Sequence, residues 1–174
     1  MKEFRPIAAL LAGSGLLYLA ASAARADHLV SPALTGFVVG YEAANEEQSI
    51  REEVPAGETV QNWTRMVTTQ RFGGAAARLT PANLLAVMAR DLSASCPGSR
   101  TSRVVTGSIG ENATARYRAD CPLLAQTGKP ETFIILVVSD GEDLHAKQVA
   151  FRRVPTAADV QWADAVLAAV TVVE

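Results

Sequence analysis

From Gln48 to Val54 the chain alternates, with Ile50 and Val54 on one side and Arg51 and Glu53 on the other. That is the period of a half-buried strand, and Pro55-Ala56-Gly57 ends it. A shorter β-prone run, Phe37, Val38, Val39 and Tyr41, precedes it within residues 36–43. Residues 57–72 open as a turn with a short helical corner and continue as a Thr- and Val-rich strand up to Gly73-Gly74. Thr80-Pro81 is an N-cap followed by proline at the first helical position. Leu84, Leu85, Val87, Met88 and Leu92 then recur at helical spacing until Pro97-Gly98 stops the helix.

Residues 102–109 and 112–120, split by Gly110-Glu111, predict a hairpin with Tyr117 and Ala119 on one face and Arg116, Arg118 and Asp120 on the other. Residues 133–138 are apolar throughout, which predicts a strand in mid-sheet with both faces covered. After the turn signal Asp140-Gly141, residues 144–154 return as a strand. Thr156-Ala157-Ala158-Asp159 is a capping box opening a last helix, on which Val160, Ala163, Val166, Leu167 and Val170 share a face. The expected fold is α+β: one domain over residues 36–174, an antiparallel sheet of about six strands with two helices packed on one side.

The N-terminus changes this picture. Lys2 and Arg5 precede an apolar run over residues 7–24, and Ala24-Arg25-Ala26 is an A-x-A site. Residues 1–26 therefore read as a signal peptide cut before Asp27, the alternative being retention as an anchor. Residues 27–35, with Pro32 and little periodicity, read as a loose, flexible lead. Export makes the periplasm or the exterior the expected location, with no stable membrane insertion after cleavage. In that compartment Cys96 and Cys121, the two cysteines, are expected to form a structural disulfide. A redox dithiol would favour a close C-x-x-C pair.

Charge and motifs narrow the chemistry. The formal charge is −2, and losing Lys2, Arg5 and Arg25 against Glu3 makes the remainder more acidic, so nucleic acid is not an expected partner. No nucleophile elbow, phosphate-cradling loop or zinc-ligand spacing occurs, so no catalytic residue, metal or cofactor is expected. The two histidines are His28, in the lead, and His145. His145 follows Asp140, Glu142 and Asp143, which offer an orienting carboxylate or a hard-cation cluster. The favoured reading is a solvent-exposed histidine beside a charged turn. Strand alternation sets Trp63, Arg65, Val67 and Thr69 on one face and Thr64, Met66 and Thr68 on the other. Neither face is purely apolar, so Trp63 and Arg65 join His145 as candidate binding residues, although Trp63 fits a core better.

Within residues 57–72 the run Glu-Thr-Val-x-Asn-Trp-Thr-x-Met-Val-Thr-x-Gln resembles small exported proteins of Gram-negative bacteria, few of which have an assigned role. The order of elements is similar to the PsbP/Mog1/LpqN-like α/β/α fold. The resemblance implies an adaptor or envelope role and carries over no catalytic residue. The chain departs from it in having no lipidation cysteine behind the signal peptide. Together these features predict a non-enzymatic periplasmic binding or accessory protein of the cell envelope, partnered by another envelope protein. The alternative is a small hydrolase or ligand carrier with a pocket between helix and sheet.

Overall fold

The computed structural model describes residues 29–173, so the predicted signal peptide over residues 1–26 lies outside the described residues. Its centre is one antiparallel sheet. The strands are β2 (Phe37–Ala44), β3 (Gln48–Pro55), β4 (Arg65–Phe72), β5 (Arg100–Thr101), β6 (Val105–Ile109), β7 (Asn112–Leu124), β8 (Lys129–Ser139) and β9 (Leu144–Phe151). Their lateral order is β2-β3-β4-β9-β8-β7-β5, with β6 also paired to β7. The helices are α1 (Pro81–Ser95) and α2 (Ala157–Ala168). A second, two-stranded pairing joins β1 (Leu29–Val30) to β10 (Thr171–Val172).

The fold is the expected α+β domain, and its longest strands account for the arrangement. On β8, Phe133, Ile135 and Val137 point into one apolar cluster and Ile134, Leu136 and Val138 into the other. A strand apolar on both sides needs two covers. Helix α1 supplies one over β7 and β8, through Leu84 and Leu85, and α2 supplies the other over β8 and β9, through Ala163, Val166 and Leu167. The helices thus take opposite faces, where the sequence reading set both on one. Each helix starts as its sequence predicts. Thr80 accepts from the Asn83 N–H at 3.2 Å, and Thr156 and Asp159 form a reciprocal capping box.

Two local features differ from expectation and a third meets it. Two residues of the lead are held in regular pairing: Leu29 and Val30 pair with Val172 and Thr171, and Leu29 is buried against the α2 side of the sheet. Residues 57–64 form no helical corner. Instead a Thr59–Asn62 bridge and the Glu58 carboxylate, which accepts from the Thr64 N–H at 2.6 Å and its hydroxyl at 2.7 Å, tie the loop shut. Cys96, at the end of α1, is bonded to Cys121 on β7, with the Cα atoms 5.9 Å apart. No helix among the described residues is long and apolar enough to cross a membrane.

Candidate functional site

The three candidate residues do not converge. Trp63 is 6% exposed and lies in the α1-side core. Regular strand structure begins only at Arg65, so Trp63 escapes the alternation and joins Met66 on the α1 side while Val67 faces α2. The Arg152 guanidinium lies 4.2 Å from the centre of its ring. Nε and Nη1 of Arg152 are buried without a hydrogen-bond partner among the described residues, and the nearest carboxylate, Glu131, is 4.0 Å from Nε. Burial raises the pKa of Glu131, Arg152 opposing the shift and Glu52 adding to it.

Arg65 points to the opposite side of the sheet. Its guanidinium sits 5.1 Å from the Trp162 ring and 5.9 Å from that of Phe37, and those two rings stack at 5.6 Å. It pins the start of β2 to α2 through cation–π contact.

His145 is 1% exposed, which corrects the expectation of an exposed residue. Strand β9 runs through the middle of the sheet, and His145 pairs with Arg71 of β4 and Val138 of β8. Its Nε2 is 2.8 Å from Asp140 Oδ2. Asp140 also accepts the N–H groups of Glu142 and Asp143. Asp143 accepts from the Arg71 guanidinium and from the Gly74 N–H, both at 2.7 Å. Burial pushes both carboxyls up, but these donors more than offset it and hold the Asp140 and Asp143 pKa values below the ordinary range. Ligand atoms of Asp140, Asp143 and His145 lie within 4.8 Å of one another, as a cation site requires. The Arg71 guanidinium already supplies positive charge to Asp143 from the neighbouring strand, so the cluster serves as a clasp between the β8–β9 turn and β4. Among the described residues no serine or threonine hydroxyl bonds to His145.

A neighbouring lysine carries no signal in the sequence. Lys147, on the same face of β9, is 3% exposed, and its ammonium donates to Ser31 Oγ and Thr69 Oγ1, both at 2.9 Å. No carboxylate lies within ion-pair distance among the described residues. Burial lowers its pKa, Glu53 opposing the shift and Arg51 adding to it. Ser31, from the lead, is therefore a lid on a buried amine.

The open surface lies elsewhere, on the β2–β3–β4 wing that α1 does not cover. Strand β2 is at the edge of the sheet, and no other strand pairs with its outer side among the described residues. Val38, Val39 and Tyr41 are 45%, 43% and 47% exposed and follow one another along this one strand, whereas the other exposed large apolar side chains are scattered. A bulge between Val39 and Tyr41 turns Val38 and Tyr41 to the same side, opposite Val54 and Glu52. Gly40 occupies the bulge because a Cβ there would come within 2.8 Å of a Val60 methyl. Next to Tyr41 a shallow groove of about 150 Å³ is lined by Ile50, Gln70 and Phe72.

No protein-family model and no curated protein matches the chain in sequence. Solved structures do match in shape. The Ran-binding protein Mog1p of Saccharomyces cerevisiae superposes with a TM-score of 0.54 at 9% identity, over 84% of this chain and 91% of that one. A point mutant of Mog1 gives 0.53 at 9% identity, over 84% and 92%. At this identity the likeness concerns architecture alone: the chain has a Mog1-like α+β fold, two helices packed on an antiparallel sheet.

Proposed function

We propose that this is an exported, non-enzymatic binding or accessory protein of the cell envelope that docks another protein through the outer edge of β2. The exposed Val38, Val39 and Tyr41 on an unpaired edge carry the reading. An edge strand presents free N–H and C=O groups, and exposed apolar side chains beside them, here Val38 and Tyr41 on one face and Val39 on the other, mark an interaction site. Strand addition then supplies affinity through the backbone and selectivity through alternate side chains. The titratable cluster supports this reading over an enzymatic one, since His145 and Asp143 are buried and the cluster's polar groups are satisfied by Asp140, Arg71 and the Gly74 N–H. The Mog1-like fold supports it too, because the neighbour named above is described by what it binds. The A-x-A site and the paired cysteines support export.

The test places a photo-crosslinking amino acid at Val39 and, as a control, at Val154, which is exposed on a loop. Adducts with a discrete envelope protein at Val39 and not at Val154 are expected in the periplasmic fraction. Equal yields at the two positions would refute docking at β2, and intact Met1 in the membrane fraction would refute cleavage.

A further inference from the structure

We infer that the β2 edge takes an extended segment of its partner that is apolar in one half and basic in the other. The inference rests on the docking reading above and names the chemistry of the occupant. Residues 37–58 carry six glutamates, Glu42, Glu46, Glu47, Glu52, Glu53 and Glu58, against one basic residue, Arg51. The acidity is not spread evenly along the edge. Before the bulge β2 exposes Val38 and Val39 and no acid; beyond it come Glu42 and, in the turn to β3, Glu46 and Glu47.

Internal cations leave most of this charge unanswered. Arg51 is shared between Glu42 at 3.5 Å and Glu53 at 3.6 Å. Glu58 is spent on Thr64. Arg71 is committed to Asp143, and to the backbone carbonyl of Glu46 rather than its carboxylate. Arg65 lies at the other end, over Phe37 and Trp162. Glu52, directly across from Tyr41, has no cation within ion-pair distance among the described residues. A segment laid along β2 therefore meets apolar surface and the Arg65 charge at the Phe37 end, and uncompensated carboxylates at the Ala44 end.

A bulge and a charge on an edge are also the devices by which sheets repel one another. Here they make the edge selective. The bulge breaks the flat ladder that a generic strand would need, and Glu42, Glu46 and Glu47 repel an acidic or second-copy edge while attracting lysine or arginine. A second copy would bring the same glutamates and is disfavoured as the occupant.

The probes are fluorescein-labelled decapeptides alternating Val and Thr in one half and Lys and Thr in the other, synthesised in both directions, with Glu replacing Lys in matched controls. Anisotropy titrations are run on the processed, disulfide-bonded protein at low and at physiological salt. The lysine peptide in one direction should bind at least about tenfold more tightly than its glutamate twin, the gap shrinking with salt. A Glu42→Lys, Glu46→Lys, Glu47→Lys variant, altered only at exposed positions, should invert the preference. Equal binding of both peptides, or a lysine preference that survives this variant, overturns the inference. Loss of that equal binding in a Val38→Asp, Tyr41→Asp variant would keep the docking edge while the charge rule falls. If no peptide binds while Val39 still crosslinks in cells, the edge is again used and the basic-strand chemistry is wrong.

Discussion

Truncation of Trp63 to alanine separates a core residue from a surface anchor. The side chain is buried among the α1-side apolar residues, and such a Trp→Ala change costs about 3–5 kcal/mol in transfer and cavity terms. Loss of the ring also leaves the Arg152 guanidinium, 4.2 Å from its centre, without its main contact, adding about 1 kcal/mol. The sum, roughly 4–6 kcal/mol, is comparable to the whole stability of a domain whose range is about 5–15 kcal/mol. Urea unfolding followed by circular dichroism measures it, with Trp162 still available as the fluorophore. Arg152→Met is expected to cost less, because the loss of the ion pair with Glu131 is offset by removal of two buried nitrogens that lack hydrogen-bond partners among the described residues. In a double-mutant cycle the pair should couple by about 1 kcal/mol. A Trp63→Ala curve that superimposes on the wild type, or strictly additive effects, would refute the reasoning and return Trp63 to the list of binding residues.

Opening the Cys96–Cys121 bond by serine substitution at both positions should cost about 3.5 kcal/mol, from the entropy of a loop with a sequence separation of 25. Native protein should resist thiol alkylation without reductant, and labelling of either cysteine would contradict the bond. Lys147→Met should raise the melting temperature at neutral pH, since a buried amine held below its ordinary pKa disfavours folding while it is charged. By the same linkage, wild-type stability should rise with pH from the folded-state pKa of Lys147 up to the unfolded value, and the variant should lack that rise. Thr156→Ala should cost about 1 kcal/mol through the lost N-cap. Asp159 titrates at about 2, chiefly because the Thr156 hydroxyl bonds to it, so its stabilisation is complete above the unfolded carboxylate range and fades as pH falls toward 2. Acid unfolding of the Thr156 variant should begin at higher pH.

What the sequence made legible is what depends on neighbours in the chain. Thr80-Pro81 and the Thr156–Asp159 box marked both helix starts, and the apolar run on β8 marked a strand covered on both sides. That same run called for a cover on each face, yet both helices were expected on one side, because alternation alone does not say which face a distant helix will take. The strap formed by β1 was invisible because two residues carry no period and their partner, β10, is equally short. His145 is flagged by its local carboxylates, but the donors that tie its acidic turn to the sheet, Arg71 and Gly74 on Asp143, both come from the other side of α1 in sequence. Lys147 had no signal at all. In the run Leu-His-Ala-Lys-Gln-Val-Ala-Phe it reads as an ordinary polar strand position, and only the lateral order of β4, β9 and the strap buries it.

The β1–β10 seam has a mechanical consequence. Val30 and Thr171 lie 141 residues apart yet sit side by side, and the outermost pair is Leu29 with Val172. Tension applied through the two ends would load that outer pair first and open the seam one pair at a time, as a zipper opens, instead of shearing all its bonds together. The main sheet, whose strands are continuous and laterally paired, would remain shielded from the load until the seam had gone. Release of the strap would withdraw Leu29 from the α2-side core and carry Ser31 away from Lys147, so a gentle pull on the ends would expose a buried amine while the main sheet still held.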